Sequence, residues 1–173
     1  NINVKFHCAA WLNHLRDVNI LKIYAIGFFL TSVFVSLFNY MTFRLFDAPY
    51  YLTQTQISLI FIFLSYSFGI ISSSIASNIA DRIGKKKVLI SGFLCMLLGV
   101  FLTLSTSLFL IIIGIACVTT GFFVAHSIAS SNVGELAKSN KGHATSLYLL
   151  FYYLGSSIIG TYGGSIWQNH GWN

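Results

Sequence analysis

The formal charges of this 173-residue chain are confined to a few short segments. Ten Lys and Arg and four Asp and Glu all lie outside five apolar stretches, 23–43, 57–80, 88–104, 108–130 and 144–167, of 21, 24, 17, 23 and 24 residues. A hydrocarbon core about 30 Å thick needs about 20 apolar residues of helix. A charge placed at its centre costs about 3 kcal/mol on insertion scales, so a membrane-spanning chain must push its charges to the bends. The pattern predicts an all-α polytopic membrane bundle of five transmembrane helices. Only 8% of residues are charged, against about 25% in soluble domains, too few to cover a globule with polar surface. That excludes a disordered chain, a nucleic-acid binder and an ordinary soluble enzyme.

The basic residues set an expected orientation. With five spans, Lys5, Arg16, Lys22, Arg82, Lys85, Lys86, Lys87, Lys138 and Lys141 fall on one side and Arg44 alone on the other. Basic loops stay cytoplasmic, which puts the N-terminus inside and the C-terminus outside.

Thr53 and Gln56 stand before the apolar run from Ile57 in the spacing of a capping box. Asp47, Ala48 and Pro49 predict a turn, and Ser105, Thr106 and Ser107 a tight outer hairpin. Cys8, Cys95 and Cys117 match no disulfide framework or metal-binding spacing and read as structural. Residues 1–22 read as a partly amphipathic cytoplasmic segment with Trp11, Leu12, Leu15 and Leu21. The first residue is Asn, no cleavable signal pattern follows it, and six residues (168–173) form an outer tail after the last span. The chain is expected to be an excerpt of something longer.

The inner loop between the second and third spans reads Ser77-Asn78-Ile79-Ala80-Asp81-Arg82-Ile83-Gly84-Lys85-Lys86-Lys87. Asp81 can pair with Arg82 or with a helix N-terminus, whose dipole favours an anion. Gly84 permits a turn with positive φ, and the lysines hold the loop inside and attract anionic headgroups. The loop resembles the G-x-L-A-D-R-x-G-R-R-R loop of the major facilitator superfamily, with Ser77 and Ile79 as departures. A closer resemblance, to YnfM-type bacterial inner-membrane transport proteins, rests on three further segments: Phe38-Asn39-Tyr40-x-x-Phe43-Arg44-Leu45, Gly121-Phe122-Phe123-x-x-His126-Ser127-x-x-Ser130, and Tyr148-Leu149-Leu150-Phe151-Tyr152-Tyr153-x-Gly155-Ser156-Ser157.

This resemblance implies a twelve-helix secondary transporter of two six-helix halves that rock about a midplane site. The five spans would be helices 7 to 11, residues 1–22 the linker between halves, and helices 1 to 6 and helix 12 the missing partners. Asp81 would clamp one conformation against helix 5.

Within the spans, Ser156, Gly160 and Gly164 recur every four residues, as do Gly121, Ala125 and Ala129, and Gly69, Ser73 and Ser77. Such stripes let helices approach closely, either as fixed packing or as surfaces that slide during alternating access. The third span is nearly all apolar, which suits a peripheral, lipid-facing helix. Asn39 and Tyr40 lie near the outer end of the first span, as an outer gate or substrate contact, or else bonded to a neighbouring helix. His126 is the one acid–base residue within a span. It is either a proton relay or a neutral ring bonded to a carbonyl or water. Tyr66, Ser67, Thr119, Thr120, Tyr152 and Tyr153 are further candidate contacts, suited to a neutral or amphipathic small molecule.

No paired carboxylates, nucleophile–base set or metal cluster lies in the spans, so neither catalysis nor a cofactor is expected. If proton coupling exists, its carboxylate sits in the missing half. The expected function is a permease fragment exporting a small organic solute across the bacterial inner membrane. The alternatives are a non-transporting remnant or an intramembrane enzyme.

Overall fold

The computed structural model describes residues 4–172, apart from the side chain of Tyr66. Six helices follow one another: α1 Val4–Arg16, α2 Val18–Phe46, α3 Gln54–Ile83, α4 Lys85–Leu102, α5 Leu108–Leu136 and α6 Lys141–His170. No strand occurs among the described residues. The fold is a helix bundle of the membrane type.

Each charge-free run falls in one helix, and the helices outrun the apolar cores because charged residues tolerate helix ends. The exception is α4, which stops at Leu102. By length and composition α2, α3 and α5 qualify as membrane crossings. The other two do not on that measure: α4 is 18 residues long and opens on three lysines, and α6 interleaves Gly, Ser, Thr and Tyr with its apolar residues.

Local chemistry sets the ends. Asp17 breaks the N-terminal segment into two helices by accepting from the amides of Asn19 and Ile20 at the start of α2. The capping box at Thr53 and Gln56 is present in both directions. Gly84 is the sole residue between α3 and α4. Its φ of 96° lies where L side chains rarely go, and a Cβ there would meet nothing; backbone conformation, not crowding, requires the glycine.

Helix α5 is the hub and packs on α2, α3, α4 and α6. Its Ile111, Ile115, Val118, Phe122 and Ala125 recur at helical spacing against Leu30, Leu37, Met41 and Leu45 of α2 and Ile57 and Leu64 of α3. Helix α4 flanks α5. It buries Val88, Gly92, Met96 and Gly99 and turns Leu94, Leu97, Leu98 and Phe101 outward, each more than half exposed. That outward apolar face suits lipid rather than water.

The α4–α5 contact is backbone against backbone. A Cβ on Gly99 would fall 2.6 Å from the Gly114 carbonyl oxygen, and one on Gly121 2.5 Å from that of Gly92. Two glycines seven residues apart on each helix therefore meet in pairs across the interface. The Cys95 thiol lies in the same seam and donates to the Cys117 carbonyl at 3.4 Å. All three cysteines are free.

Candidate functional site

A cleft of about 790 Å³ opens between the C-terminal parts of α2 and α6 and the N-terminal part of α3. Phe38, Tyr40, Phe43, Phe61 and Trp167 wall it, and Asn39 and Gln168 supply amides. Asn39 and Gln168 are exposed and make no hydrogen bond among the described residues, so both amides are free to meet a solute. Tyr40 is already engaged: its hydroxyl donates to the Gly160 carbonyl of α6, and its ring lies 6.5 Å from that of Trp167. No ionised side chain lines the cleft.

From its floor a run of rings leads inward. Phe61 and Phe38 are 4.7 Å apart between centroids, Phe38 and Phe34 4.5 Å, and Phe34 and Phe122 4.1 Å. Phe122 lies parallel to His126 at 5.6 Å, and His126 is 4.9 Å from Tyr152. The run joins α3, α2, α5 and α6 without a charged group. His126 Nδ1 and the Tyr148 hydroxyl are 3.0 Å apart. The ring is thus held by a tyrosine one turn before Tyr152, in place of the carbonyl or water considered from sequence.

The sequence candidates divide. Asn39, Tyr40 and Gly164 share the cleft; His126 and Tyr152 share the far end of the ring track. Thr119 is fully buried, and its hydroxyl has no hydrogen-bond partner. Tyr66 sits on α3, but its side chain lies outside the described residues. On α6 the nearest approach to α2 is at Gly155, over the Phe28 backbone, with Ser156 half-buried beside it. Gly160 lies by Val35, and Gly163 and Gly164 lie on the Tyr40 ring.

At the bend between α3 and α4, Asp81, Arg82, Lys86 and Lys87 are exposed. Asp81 does not pair with Arg82, since adjacent residues on a helix diverge by about 100°. The ion pair found among the described residues is Lys85–Glu135, which ties the start of α4 to the end of α5.

Sequence reading passed over Trp167, Gln168, Phe61 and the role of Tyr148. It took Arg44 as a topological charge and as one residue of a resembling segment, not as a structural contact. Arg44 donates to the carbonyls of Thr103 and Ser105 and stands 5.9 Å from the Tyr50 ring and 5.4 Å from that of Trp172. Trp172 in turn donates to the Thr103 carbonyl at 3.1 Å. A guanidinium at the C-terminal end of α4 also suits the helix dipole. These contacts staple together the C-terminal end of α2, the α4–α5 hairpin and the residues after α6.

The family model of the Major Facilitator Superfamily matches residues 4–173. The chain is 45% identical over 160 residues to the inner membrane transport protein YnfM of Escherichia coli (strain K12), covering 92% of this chain and 38% of that protein. It is 43% identical over 161 residues to the uncharacterized MFS-type transporter YybF of Bacillus subtilis (strain 168), covering 93% and 39%. An uncharacterized transporter of Buchnera aphidicola subsp. Schizaphis graminum (strain Sg) is 42% identical over 154 residues, covering 89% and 37%. The chain thus spans about two fifths of the length of these relatives. No solved structure matches it.

Proposed function

Because the chain belongs to the major facilitator superfamily, and so to a family of integral membrane transporters, we propose that it forms part of a permease that exports a small neutral organic solute. The observation that carries this reading is the uncharged outer cleft, with the unengaged amides of Asn39 and Gln168, continued inward by stacked rings. Aromatic walls take up an apolar or sugar-like face, and the two amides supply oriented hydrogen bonds. A strongly ionised solute would find no counter-charge there.

In this reading the missing half of the transporter, helices 1 to 6, closes the cleft from the opposite side, and helix 12 completes the bundle. The N-terminus is cytoplasmic, as the nine-to-one division of basic residues supports, and the membrane is the bacterial inner membrane. Asp81, exposed and without an ion-pair partner among the described residues, is available to the other half. His126 holds Tyr148 in the inner part of the track. Any coupling proton is carried by a carboxylate elsewhere, since no Asp or Glu lies in the five charge-free runs.

Trp167 in the cleft wall provides the test. In a background with Trp11 and Trp172 changed to Phe, its fluorescence is titrated with panels of neutral, anionic and cationic small molecules. A neutral amphipathic compound should quench it, and Asn39→Leu should weaken that binding about two- to tenfold, the net value of one neutral hydrogen bond. Binding confined to ionised compounds, or binding indifferent to Asn39→Leu and Gln168→Leu, would defeat the reading. Uptake into inside-out against right-side-out vesicles then gives the direction.

A further inference from the structure

Five histidines occur in the chain, and two of them meet outside the bundle. His7 of α1 and His143 in the first turn of α6 bring Nδ1 and Nε2 to 2.8 Å, with ring centroids 5.0 Å apart. Phe6 packs edge-on against both rings, at 5.5 and 6.0 Å. Trp11 lies within 6.4 Å of His7 and 5.7 Å of His143, and its indole donates to the Ser146 hydroxyl. Both imidazoles are half-buried. Two turns further along α1, buried His14 lies 3.3 Å from the Asn140 carbonyl. These contacts are the polar part of what holds α1 against α6.

A bond between two ring nitrogens needs one N–H and one lone pair. One added proton leaves it intact, as an imidazolium donating to an imidazole. A second sets N–H against N–H and two positive charges within one contact distance. Among the described residues no carboxylate pairs with either ring, and the four acids of the chain have other places. Asp17 caps α2, Asp47 lies in the outer loop, Asp81 is exposed at the end of α3, and Glu135 holds Lys85. The three charged side chains nearest in sequence to the pair, Lys5 on α1, Lys138 before α6 and Lys141 on it, are all cations; Glu135, Arg16, Asp17 and Lys22 stand further along the chain. By contrast, His14 can donate to the Asn140 carbonyl whether or not it carries the extra proton.

We propose that α1 is an acid-released strap: the His7–His143 bond fastens it to the inner end of α6 while at least one ring is neutral, and protonation of both lets it go. With the orientation proposed above, the strap reports the pH of the cytoplasm, although the fastening itself does not depend on that orientation.

The test is a distance measurement between spin labels on Cys8 and on Gly142→Cys, with Cys95 and Cys117 changed to alanine. Cys8 is exposed, and a Cβ at position 142 meets nothing. The chain is studied in vesicles of phosphatidylcholine and phosphatidylglycerol at about pH 7.5 and about pH 5, which bracket the ordinary range of imidazole. The expected result is a single short distance at the higher pH, with that population falling about tenfold or more at the lower. His7→Gln with His143→Gln keeps a donor and an acceptor but cannot titrate, and should hold the short distance at both pH values. His14→Gln should leave the pH response in place. The proposal is overturned if the wild-type distance is the same at both pH values, if the response survives the double glutamine variant, or if it vanishes in His14→Gln.

Discussion

Alanine at Gly121 tests the backbone-to-backbone seam between α4 and α5. The added Cβ would fall 2.5 Å from both the Gly92 carbonyl oxygen and the Met96 amide nitrogen, and 2.9 Å from the Met96 Cβ. Two of the three obstacles are backbone atoms and cannot swing aside. The first contact is about 0.9 Å short of the 3.4 Å at which ordinary contact begins, so α4 has to retreat by most of that. A gap of roughly 0.5–1 Å forfeits a quarter to a half of each atom pair's attraction, and inserted methyl groups in packed sites typically cost about 1–3 kcal/mol. Alanine recovers about 0.5–1 kcal/mol through helix propensity. The net expectation is a loss of about 1–2 kcal/mol, or a fall of about 2–8 °C in Tm for a chain of this size.

The seam carries its own reporter. Cys95 and Cys117 are half-buried where the two helices meet, so a thiol-reactive fluorophore follows their separation on heating once Cys8 is changed to Ser. Gly99→Ala, with a Cβ 2.6 Å from the Gly114 oxygen and the Val118 nitrogen, should behave like Gly121→Ala. Gly134→Ala and Gly142→Ala are the controls: a Cβ at either site meets nothing, and helix propensity alone should leave Tm unchanged or slightly raised. If Gly121→Ala melts with the controls, α4 and α5 are not in backbone contact and the account of the fold is wrong at its centre.

Arg44→Lys keeps the charge but loses the fork that reaches two carbonyls. It should cost about 1–2 kcal/mol in the same melt, with Arg44→Ala costing more; a wild-type melt for the lysine variant would remove the staple. Thr119→Val discards a buried hydroxyl that has no partner, and Tm should hold or rise by an amount worth up to about 1 kcal/mol. A clear fall would mean that the hydroxyl is engaged. Asp81→Asn should leave Tm unchanged, because the carboxylate is exposed and makes no ion pair among the described residues, yet lower transport by a complete transporter carrying it. Undiminished transport would take Asp81 out of the mechanism.

What could be read from the sequence was whatever the bilayer forces on single residues. A charge is expensive in hydrocarbon wherever it falls, so the five runs located five helices before any neighbour was known. The capping box at Thr53 and the turn residue Gly84 are likewise local, decided within a few residues. The glycine pairs were a different matter. Gly92 and Gly99, and Gly114 and Gly121, each stand seven apart in plain view, but a glycine signals close approach only once the facing helix and its register are fixed. Four-residue spacing drew attention to Ser156, Gly160 and Gly164, whereas Gly155, one position away, takes the tightest place against α2.

The site was legible to the same depth. Asn39 and Tyr40 stood out as polar groups near the end of an apolar run, and they do share a cleft. Their partners Trp167 and Gln168 sit at and just past the end of the last run, where interfacial Trp is common and marks nothing. Arg44 shows the limit from the other side. Its charge was enough to weigh it in the topology, but its fork needs the carbonyls that end α4, 59 and 61 residues away. No periodicity links such positions. Both places depend on one register: turning α2 by one residue, about 100°, carries Arg44 off the hairpin and Asn39 out of the cleft together. The Arg44→Lys melt and the Asn39→Leu titration therefore test one register. A wild-type result in both would reject the placement of α2 as well as the two roles assigned to it.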